Sequence, residues 1–417
     1  MKEILFFTNG DANNANVWSN VPYCFSCALE DKGINVHRID YSMSPAFVKF
    51  YNLGLRRILD GLTLKKLRFP YLRTTRLFQY FAERKIRKAI LQHPQADLCL
   101  FMGYGFYNKW NTVPSLLFSD WTTEMDIQKK RKPNFLEQRI ILQEEEAINH
   151  AEYVVSLFPV CCEEMKKNFP NANIHFLGGN VINDLSGLCL RSKDQCVMSE
   201  DDSGNNKNKQ ITPDSLHLTP HTLHSSNEIF VEDILQTKSK SKKLLFIGRK
   251  TTYLEAAKKL IEAYKLLKQE EAYKDLSLDI VGCSASDFDS LPEGVTCYGF
   301  LNKSYERDRK VYYDLLLGAK VLVNANPKWG AFSSTVEAMY YYTPVIVSPY
   351  QDFVKNFGEK IDFGVYNHVF TAESIASNIK SIVNTNRYAE MCNFAHENVK
   401  LYTWENYIEQ LCCWVIA

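Results

Sequence analysis

The sequence lacks several features that would place it in a special class of protein. No apolar run approaches the roughly 18–20 residues that cross a bilayer, so no spanning helix is predicted. The formal net charge of +1 in 417 residues gives no overall attraction to nucleic acid. The start, MKEILFFTNG, enters an apolar strand pattern without a long apolar leader, so no secretory signal is expected.

Repeated cysteine pairs at metal-ligand spacing are also lacking. The twelve cysteines are scattered, and Cys24 and Cys27 form a CxxC inside an apolar helical pattern, which favours core packing over redox chemistry. A chain of this size needs no disulfides. Reduced thiols and a cytoplasmic location are therefore predicted.

Two sets of alternating strand and helix patterns are present. Strand patterns in the first part are KEILFFTN, NVHRIDY, ADLCLFMG, SLLFSD and YVVSLF; from Lys243 onward they are KLLFIGR, LSLDIVG, VLVNANP and PVIVSPY. This order predicts an α/β fold with two mainly parallel sheets, each covered by helices on both faces. Ligands of such sheets bind beyond the carboxyl ends of the strands, here in a cleft between two Rossmann-like domains.

The predicted domains are residues 1–185 and residues 242–400. Between them, residues 186–241 include DDSGNNKNKQ and TKSKSKK and show no sustained apolar face. Such a segment cannot bury enough surface to offset its chain entropy, so disorder or loose attachment is expected. The linker histidines His217, His221 and His224 do not indicate a metal site, because Pro220 interrupts the helix that would align them.

The stretch VLVNANPKWGAFSSTVEAMYYYTPVIVSPY, residues 321–350, carries the most chemical information. It predicts a strand, a tight turn at Gly330, a helix with Glu337, and a second strand after Pro344. A turn that leads into a helix presents unpaired N–H groups and the positive end of the helix dipole, which suits a phosphate or pyrophosphate. Glu337 lies about one turn further along and can accept hydrogen bonds from sugar hydroxyls. A nucleotide sugar is indicated, although the same pattern occurs in doubly wound domains without a ligand.

Motifs in this region resemble those of GT-B glycosyltransferases, in particular the retaining family 4. FIGR at residues 246–249 matches the family's FxGR, and a second set of residues matches its glycine turn and acidic helix: Gly330, Glu337, Ala338, Met339, Thr343, Pro344 and Val345. The resemblance is clearest over residues 243–350 and extends over nearly the whole chain apart from 186–241. GGNVIN at 178–183 resembles the crossing between domains. YTWENY resembles the start of a final helix, residues 401–417, that returns to the first domain.

The resemblance implies a retaining transferase that moves a sugar from a nucleotide-diphosphate sugar to a glycan or lipid-linked acceptor. No metal and no cofactor are expected. If the leaving phosphate takes the acceptor proton on the same face, the enzyme needs positioning and charge stabilisation more than an acid–base pair. A covalent glycosyl-enzyme remains open. Asp287-Phe288-Asp289 has the DxD form of a metal site in the other large glycosyltransferase architecture, but it lies in a predicted solvated loop.

The resemblance also implies roles for individual residues. Arg249, preceded by Gly248, would hold the donor pyrophosphate through bidentate hydrogen bonds worth about 1.5–3 kcal/mol each. Glu337 would contact the donor ribose. The other donor-binding candidates lie in the glycine turn and at the helix start: Lys328, Trp329, Gly330, Phe332, Ser333, Ser334 and Thr335.

Three positions depart from the family pattern. Trp329 replaces a glutamate that touches the donor sugar, Leu254 replaces a lysine, and Tyr342 replaces a glycine, which suggests a differently built turn. Lys250 or Lys328 could supply the missing charge, and Lys328 is preferred because it lies beside the glycine turn. A catalytically degenerate GT-B binding module and a nucleotide-sugar epimerase therefore stay open as alternatives.

The acceptor side is predicted from the first domain. TNGDANNANVWSNVPYCFSCAL resembles the family's first loop and helix, so Trp18, Ser19 and Asn20 would line the acceptor site, with Asn20 where glycine is commoner. Asp120 follows the strand SLLF and would orient the acceptor hydroxyl in the same cleft. An ordinary loop aspartate is the alternative interpretation.

A strongly basic segment lies between residues 49 and 88. It holds twelve Lys and Arg against two acidic residues, a local excess of +10, interleaved with Leu, Phe and Tyr. Such a pattern can dock on anionic lipid headgroups at about 1 kcal/mol per basic residue. Solvated helix faces explain it equally well. RNA binding is a third interpretation, which no recognisable nucleic-acid module supports.

Overall fold

A computed structural model describes residues 1–63, 69, 71–128, 131–178, 180–183, 228–327 and 332–416. Two six-stranded sheets organise these residues, and every strand pairing in them is parallel. The predicted α/β class with two Rossmann-like sheets is confirmed.

The first sheet has the strand order β2-β1-β3-β4-β5-β6. Its strands are β1 (Glu3–Thr8), β2 (Asn35–Asp40), β3 (Leu98–Met102), β4 (Ser115–Ser119), β5 (Tyr153–Ser156) and β6 (Ile174–His175). β3 and β4 are buried along their whole length. Both read as continuous apolar runs rather than alternating patterns because helices cover the two faces of the sheet.

The helices around this sheet begin with recognisable caps. Thr75 caps α4 through its hydroxyl, and Asn134 with Glu137 forms a capping box at α6. The helices are α1 (Val21–Asp31), α2 (Pro45–Lys49), a π-helix (Phe50–Leu55), α3 (Arg56–Leu62), α4 (Arg76–Gln92), α5 (Thr123–Gln128), α6 (Phe135–His150) and α7 (Pro159–Asn168).

The second sheet has the order β12-β11-β10-β7-β8-β9. Its strands are β7 (Lys243–Ile247), β8 (Ser277–Val281), β9 (Val295–Gly299), β10 (Val321–Asn324), β11 (Val345–Val347) and β12 (Gly364–Tyr366). Its helices are α8 (Glu228–Lys240), α9 (Lys250–Leu267), α10 (Glu306–Gly318), α11 (Ser333–Tyr340), α12 (Gln351–Phe357), α13 (Ala372–Val383) and α14 (Tyr388–Val399). No helix within the described ranges has both the length and the hydropathy needed to cross a bilayer.

Helix α8 corrects the prediction of a loosely attached segment at 186–241. Residues 228–240 are helical, and Ile234 and Lys238 are fully buried against the second sheet's helices. The Lys238 ammonium donates to Leu316 O at 2.9 Å, Ala319 O at 3.3 Å and Thr343 Oγ1 at 2.7 Å. The helix therefore belongs to the second unit. Residues 186–227 of the predicted linker lie outside the described residues, as do residues 184 and 185 at the end of the predicted first domain.

Both sheets reverse their strand order at one point. In the first sheet the chain runs from β1 to β2 and then places β3 on the other side of β1; in the second, β10 follows β9 but pairs with β7. Connections leave opposite faces at such a switch point and open a crevice beyond the carboxyl ends of the strands. The two crevices lie beside β1 and β3, and beside β7 and β10.

Several contacts join the two units. The last helix, α15 (Trp404–Ile416), packs on α1, with the Trp404 ring stacked on Phe25 at 4.9 Å between centroids. Asp352 at the start of α12 accepts a hydrogen bond at 3.0 Å from the Val160 N–H at the start of α7. A carboxylate at a helix start is favoured by the helix dipole, so this contact stabilises the apposition of the two units.

Candidate active site

The two crevices meet at Arg249 and Ser19. Arg249 lies after β7 and is the N-cap residue of α9, and Ser19 lies in the loop after β1. Arg249 Nη2 donates to Ser19 Oγ at 3.2 Å, and the guanidinium carbon lies 6.0 Å from the Phe300 ring centroid. Arg249 is exposed. The predicted donor-side cation and the predicted acceptor-side loop are thus brought to one place.

Gly248 makes room for Tyr253 in the first turn of α9, just after Arg249. A Cβ atom on Gly248 would lie 2.7 Å from Tyr253 Cβ, closer than real atoms approach. The next strand has Gly282 with φ +92°, where a Cβ would lie 2.4 Å from Gly248 O. Only glycines permit this approach of the two strand ends, which fixes the backbone from which Arg249 projects.

The loop before α1 has an unusual backbone. Trp18, Ser19 and Asn20 have φ values of 40°, 54° and 74°, in the left-handed region that most side chains avoid. Asn20 is the residue type besides glycine that adopts this region most readily, which explains its place where the family commonly has glycine. Its buried amide donates to Ala15 O. Strain of about 1–3 kcal/mol per such residue is typical of ligand sites.

The start of α11 is partly covered in this structure. Phe332, the N-cap residue, is fully buried, and its ring centroid lies 5.8 Å from that of Phe158 in the first unit. With its amide oriented as hydrogen bonding favours, Asn180 accepts from Phe332 N at 3.1 Å and from Ser333 N at 3.2 Å. The N–H groups of Ser334 and Thr335 are the other first-turn donors of the helix.

Three buried oxygens lie at this edge of the second sheet without hydrogen-bond partners within the described part of the chain. They are Asn324 Oδ1 at the end of β10, Thr335 Oγ1 in the first turn of α11, and Ser348 Oγ just after β11. Buried polar atoms are usually satisfied, because an unmade hydrogen bond costs about 1–3 kcal/mol. A ligand or an ordered water in the crevice would satisfy them.

Glu337 lies on α11 and is 4% exposed. Its Oε2 accepts from the Tyr312 hydroxyl at 2.6 Å, and its Oε1 lies 3.2 Å from the Lys303 ammonium, which is also 4.6 Å from the Tyr312 ring centroid. Burial, followed by the charge of Glu337, raises the pKa of Tyr312 well above its usual value. These two contacts fix the orientation of the Glu337 carboxylate.

A cavity of about 1060 Å³ lies over the switch point of the first sheet. Trp18 and Asp120 both line it, together with the ends of β1 and β3. Asp120 Oδ1 accepts from Trp121 N at 2.9 Å and from Ser119 Oγ at 3.3 Å. Burial raises the pKa of Asp120. The aspartate predicted from the sequence is therefore part of this cavity wall.

Further charged residues line the cavity, and no sequence motif marks them. Glu144 accepts from Thr123 N at 2.7 Å and from Thr123 Oγ1 at 2.5 Å, and burial raises its pKa to about 7. Arg131 forms a two-point ion pair with Glu137. Arg73 lines the same wall. Glu144 stands in a run of three glutamates, and that local pattern does not distinguish it from its solvated neighbours.

The structure also bears on the departures from the family pattern. Lys250 Nζ lies 2.8 Å from Asp287 Oδ1, so this lysine is paired away from the crevice. Tyr342 has φ +58° and stacks on His396 at 4.2 Å, so the turn keeps a left-handed backbone despite the tyrosine. Lys328, Trp329 and Gly330 lie outside the described residues.

Comparison with solved structures identifies the fold. The chain is similar to WaaG, a glycosyltransferase involved in lipopolysaccharide biosynthesis (11% identity, 99% of each chain, TM-score 0.59). It is also similar to sucrose-phosphate synthase from Thermosynechococcus elongatus (14% identity, 99% of this chain and 98% of that one, TM-score 0.58). A third similar structure is Anabaena Alr3699/HepE in complex with UDP and glucose (11% identity, 100% of each chain, TM-score 0.55). The fold is GT-B.

The chain spans 55% of the length of S. aureus TarM structures that it matches at 17% identity, with TM-scores of 0.49 and 0.47. No protein-family model matches the chain. No curated protein matches it either.

Proposed function

We propose that this protein is a glycosyltransferase that moves a sugar from a nucleotide-diphosphate sugar to a glycan or lipid-linked acceptor. The observation that carries the proposal is the hydrogen bond between Arg249 and Ser19, which joins the carboxyl edges of two Rossmann-like sheets at their switch points. A donor held at one edge and an acceptor held at the other would meet there. The GT-B neighbours, one of them bound to UDP and glucose, support the same class of reaction.

On the donor side, Arg249 and the four N–H groups at the start of α11, residues 332–335, would bind the pyrophosphate, which would replace the Asn180 side chain at the first two of them. These groups complement the negative charge that grows on the leaving diphosphate, so they stabilise the transition state more than the ground state. Gly248 sets the backbone for Arg249. Glu337 would bind the ribose, with Lys303 and Tyr312 fixing the orientation of its carboxylate.

On the acceptor side, the cavity beside Trp18 would hold the acceptor and Asp120 would orient the reacting hydroxyl. We propose retention through the front-face route, in which the departing phosphate takes the acceptor proton and no metal takes part. The family 4 type of transferase fits the FIGR and Glu337 motifs. Burial raises the pKa of Asp120, so this carboxyl holds a proton more readily than an exposed aspartate and can donate or accept a hydrogen bond when it orients the acceptor hydroxyl.

The test begins with nucleotide binding and ends with transfer. A thermal-shift assay with UDP, GDP, ADP and their sugars should identify one donor that raises the melting temperature. Arg249→Ala should weaken binding of that donor. Two charge-assisted hydrogen bonds of about 1.5–3 kcal/mol each correspond to a loss of roughly 10²- to 10⁴-fold in transfer rate. Lys250→Ala is the matched control, because this neighbouring exposed lysine pairs with Asp287 instead.

Each outcome separates the proposal from its alternatives. Transfer that survives both Arg249→Ala and Glu337→Ala would contradict the proposed site. Nucleotide binding without hydrolysis or transfer would identify a degenerate GT-B binding module. A changed sugar produced without any acceptor would identify an epimerase.

We also propose that the basic segment at 49–88 contacts an anionic membrane surface. Phe50, Ile58 and Leu62 are 65%, 60% and 77% exposed, and an exposed stripe of α4 mixes apolar and basic side chains: Leu77, Tyr80, Phe81, Arg84, Lys88 and Leu91. Co-sedimentation with phosphatidylglycerol vesicles but not phosphatidylcholine vesicles is expected. Charge reversal at Arg84 and Lys88 should abolish it, whereas reversal at the exposed Lys258 on α9 should not. Equal sedimentation of all variants would contradict this role.

A further inference from the structure

A second group of polar side chains lies at the amino end of the first sheet. Glu3 begins β1, His37 lies on β2, and His93 ends α4 as its C-cap residue. Within the described ranges, these three form the one group of His, Cys, Asp or Glu side chains whose donor atoms all lie within 4.8 Å of one another. All three are partly buried, with side chains 22–32% exposed.

The fold brings the three side chains together. Glu3 pairs with Asn35 and Leu5 pairs with His37 in the parallel register of β1 and β2. Alternate residues of a strand share a face, so Glu3 and His37 are diagonal neighbours on one face of the sheet. After His93 the chain returns to the sheet, where Asp97 N donates to Glu3 O at 2.9 Å.

The distances match those between metal ligands. Glu3 Oε1 lies 2.9 Å from His37 Nε2 and 3.2 Å from His93 Nδ1, and the two rings are 4.2 Å apart between centroids. Ligand atoms at about 2.0–2.1 Å from a tetrahedral zinc ion lie roughly 3.4 Å from one another. Small side-chain movements would therefore admit an ion between the three atoms.

Asn35 lies beside the cluster, with its Nδ2 3.2 Å from His37 Nε2, the nitrogen that also faces Glu3. An imidazole nitrogen has one lone pair, so the Asn35 amide must turn away when an ion binds Nε2.

We propose that Glu3, His37 and His93 bind one divalent transition-metal ion of the zinc class. Two imidazoles and a carboxylate are ligands that zinc accepts, with water completing the shell. The ion would tie β1, β2 and the end of α4 together. The carboxyl end of β1 lies five residues further on, about 16 Å away at the rise of a strand, so the ion would stabilise the fold and take no part in transfer.

The test is titration of Zn²⁺ and Co²⁺ into the full chain, followed by calorimetry and by Co²⁺ absorption. Thiolate-bound Co²⁺ has a distinct charge-transfer band, which separates this site from binding by cysteines. Three single variants remove one ligand each: Glu3→Gln, His37→Asn and His93→Gln. Each should abolish binding of one metal equivalent or lower its affinity by at least about 100-fold, since even the loss of an outer-shell partner lowers metal affinity by 10- to 100-fold. His150→Gln is the matched control, because His150 is exposed and lies outside the cluster.

The outcomes decide the proposal independently of the transferase function. Loss of one nitrogen- and oxygen-bound equivalent in the three variants but not in the control supports the site. Absence of binding in the wild-type chain, or equal binding in all variants, overturns it. If a variant does not fold, anomalous scattering from wild-type crystals soaked in Co²⁺ gives the answer: a peak between Glu3 and the two imidazoles supports the site, and a peak only elsewhere overturns it.

Discussion

Replacing Lys303 by methionine would test how the Glu337 carboxylate is held. The Lys303 ammonium lies 3.2 Å from Glu337 Oε1, and the two side chains are 14% and 6% exposed. Removing one partner of a buried ion pair typically costs about 3–5 kcal/mol, because the remaining charge has lost its compensation. The Tyr312 hydroxyl still donates to Oε2, so the expected loss in the free energy of unfolding is near the lower end, about 3 kcal/mol.

A double-mutant cycle isolates the interaction from the loss of side-chain packing. Urea unfolding should be measured for Lys303→Met, Glu337→Gln and the double variant, with circular dichroism and with attention to the slope of each transition. The double variant should be less destabilised than the sum of the single variants, with a coupling of about 2 kcal/mol. Lys259→Met is the matched control: its partner Glu262 is 54% exposed, and such surface pairs contribute less than about 1 kcal/mol.

The reasoning fails if Lys303→Met unfolds at the same urea concentration as Lys259→Met. Additive single variants would also refute it, since the two side chains would then act independently. Donor binding gives a second measurement on the same variants. Lys303→Met should weaken binding of the nucleotide sugar, because Tyr312 alone would then hold the Glu337 carboxylate.

Two further predictions concern the second unit. Burial lowers the pKa of Lys238 from 10.5 to about 7 in the folded protein. Between these two pH values the unfolded chain binds one more proton than the folded chain. The free energy of unfolding, compared with that of Lys238→Met, should therefore rise with pH by at most about 5 kcal/mol. Urea midpoints of both proteins at pH 7 and pH 9.5 measure this, and a constant difference would contradict it. Asn180→Ala should tighten binding of the nucleotide diphosphate by roughly 5- to 30-fold, because two hydrogen bonds to the start of α11 no longer compete. Calorimetry measures this change, and an unchanged affinity would show that the diphosphate does not displace Asn180.

The sheets could be predicted because their strands carry strong local signals. Buried parallel strands such as LCLFM and KLLFI read as short apolar runs between helical patterns. The FIGR turn is equally local, since its glycine and arginine are adjacent in the chain. Arg249 and Asp120 could therefore be proposed from the sequence, and both lie at the carboxyl ends of strands.

Helix α8 was missed because its polar neighbours outweighed a short apolar face. Val231, Ile234 and Leu235 have helical spacing, but TKSKSKK follows them directly, and Lys238 reads as a solvated charge. Only the tertiary structure supplies the three oxygens that receive this ammonium. A buried lysine is rare, so the sequence favours the opposite interpretation.

The partners of the site residues were missed for a different reason. Lys303 and Glu337 are 34 residues apart, and Asn180 lies 152 residues before Phe332, whose N–H it contacts. No periodicity links such positions, because the contacts arise from the order of strands and not from local spacing. Tyr342 is a similar case: its stacking on His396 accompanies a positive φ that the residue type alone argues against.

The segment that crosses between the units limits how the site can change on binding. Asn183 Oδ1 accepts from Trp404 Nε1 at 2.8 Å, and its amide donates to Ser19 O at 3.1 Å, so the segment is fixed three residues beyond Asn180. Moving the backbone would break these contacts as well as those of α11, whereas rotation of the Asn180 side chain breaks only two hydrogen bonds. A diphosphate that replaces Asn180 at the N–H groups of Phe332 and Ser333 should therefore turn this one side chain and leave the arrangement of the two units unchanged.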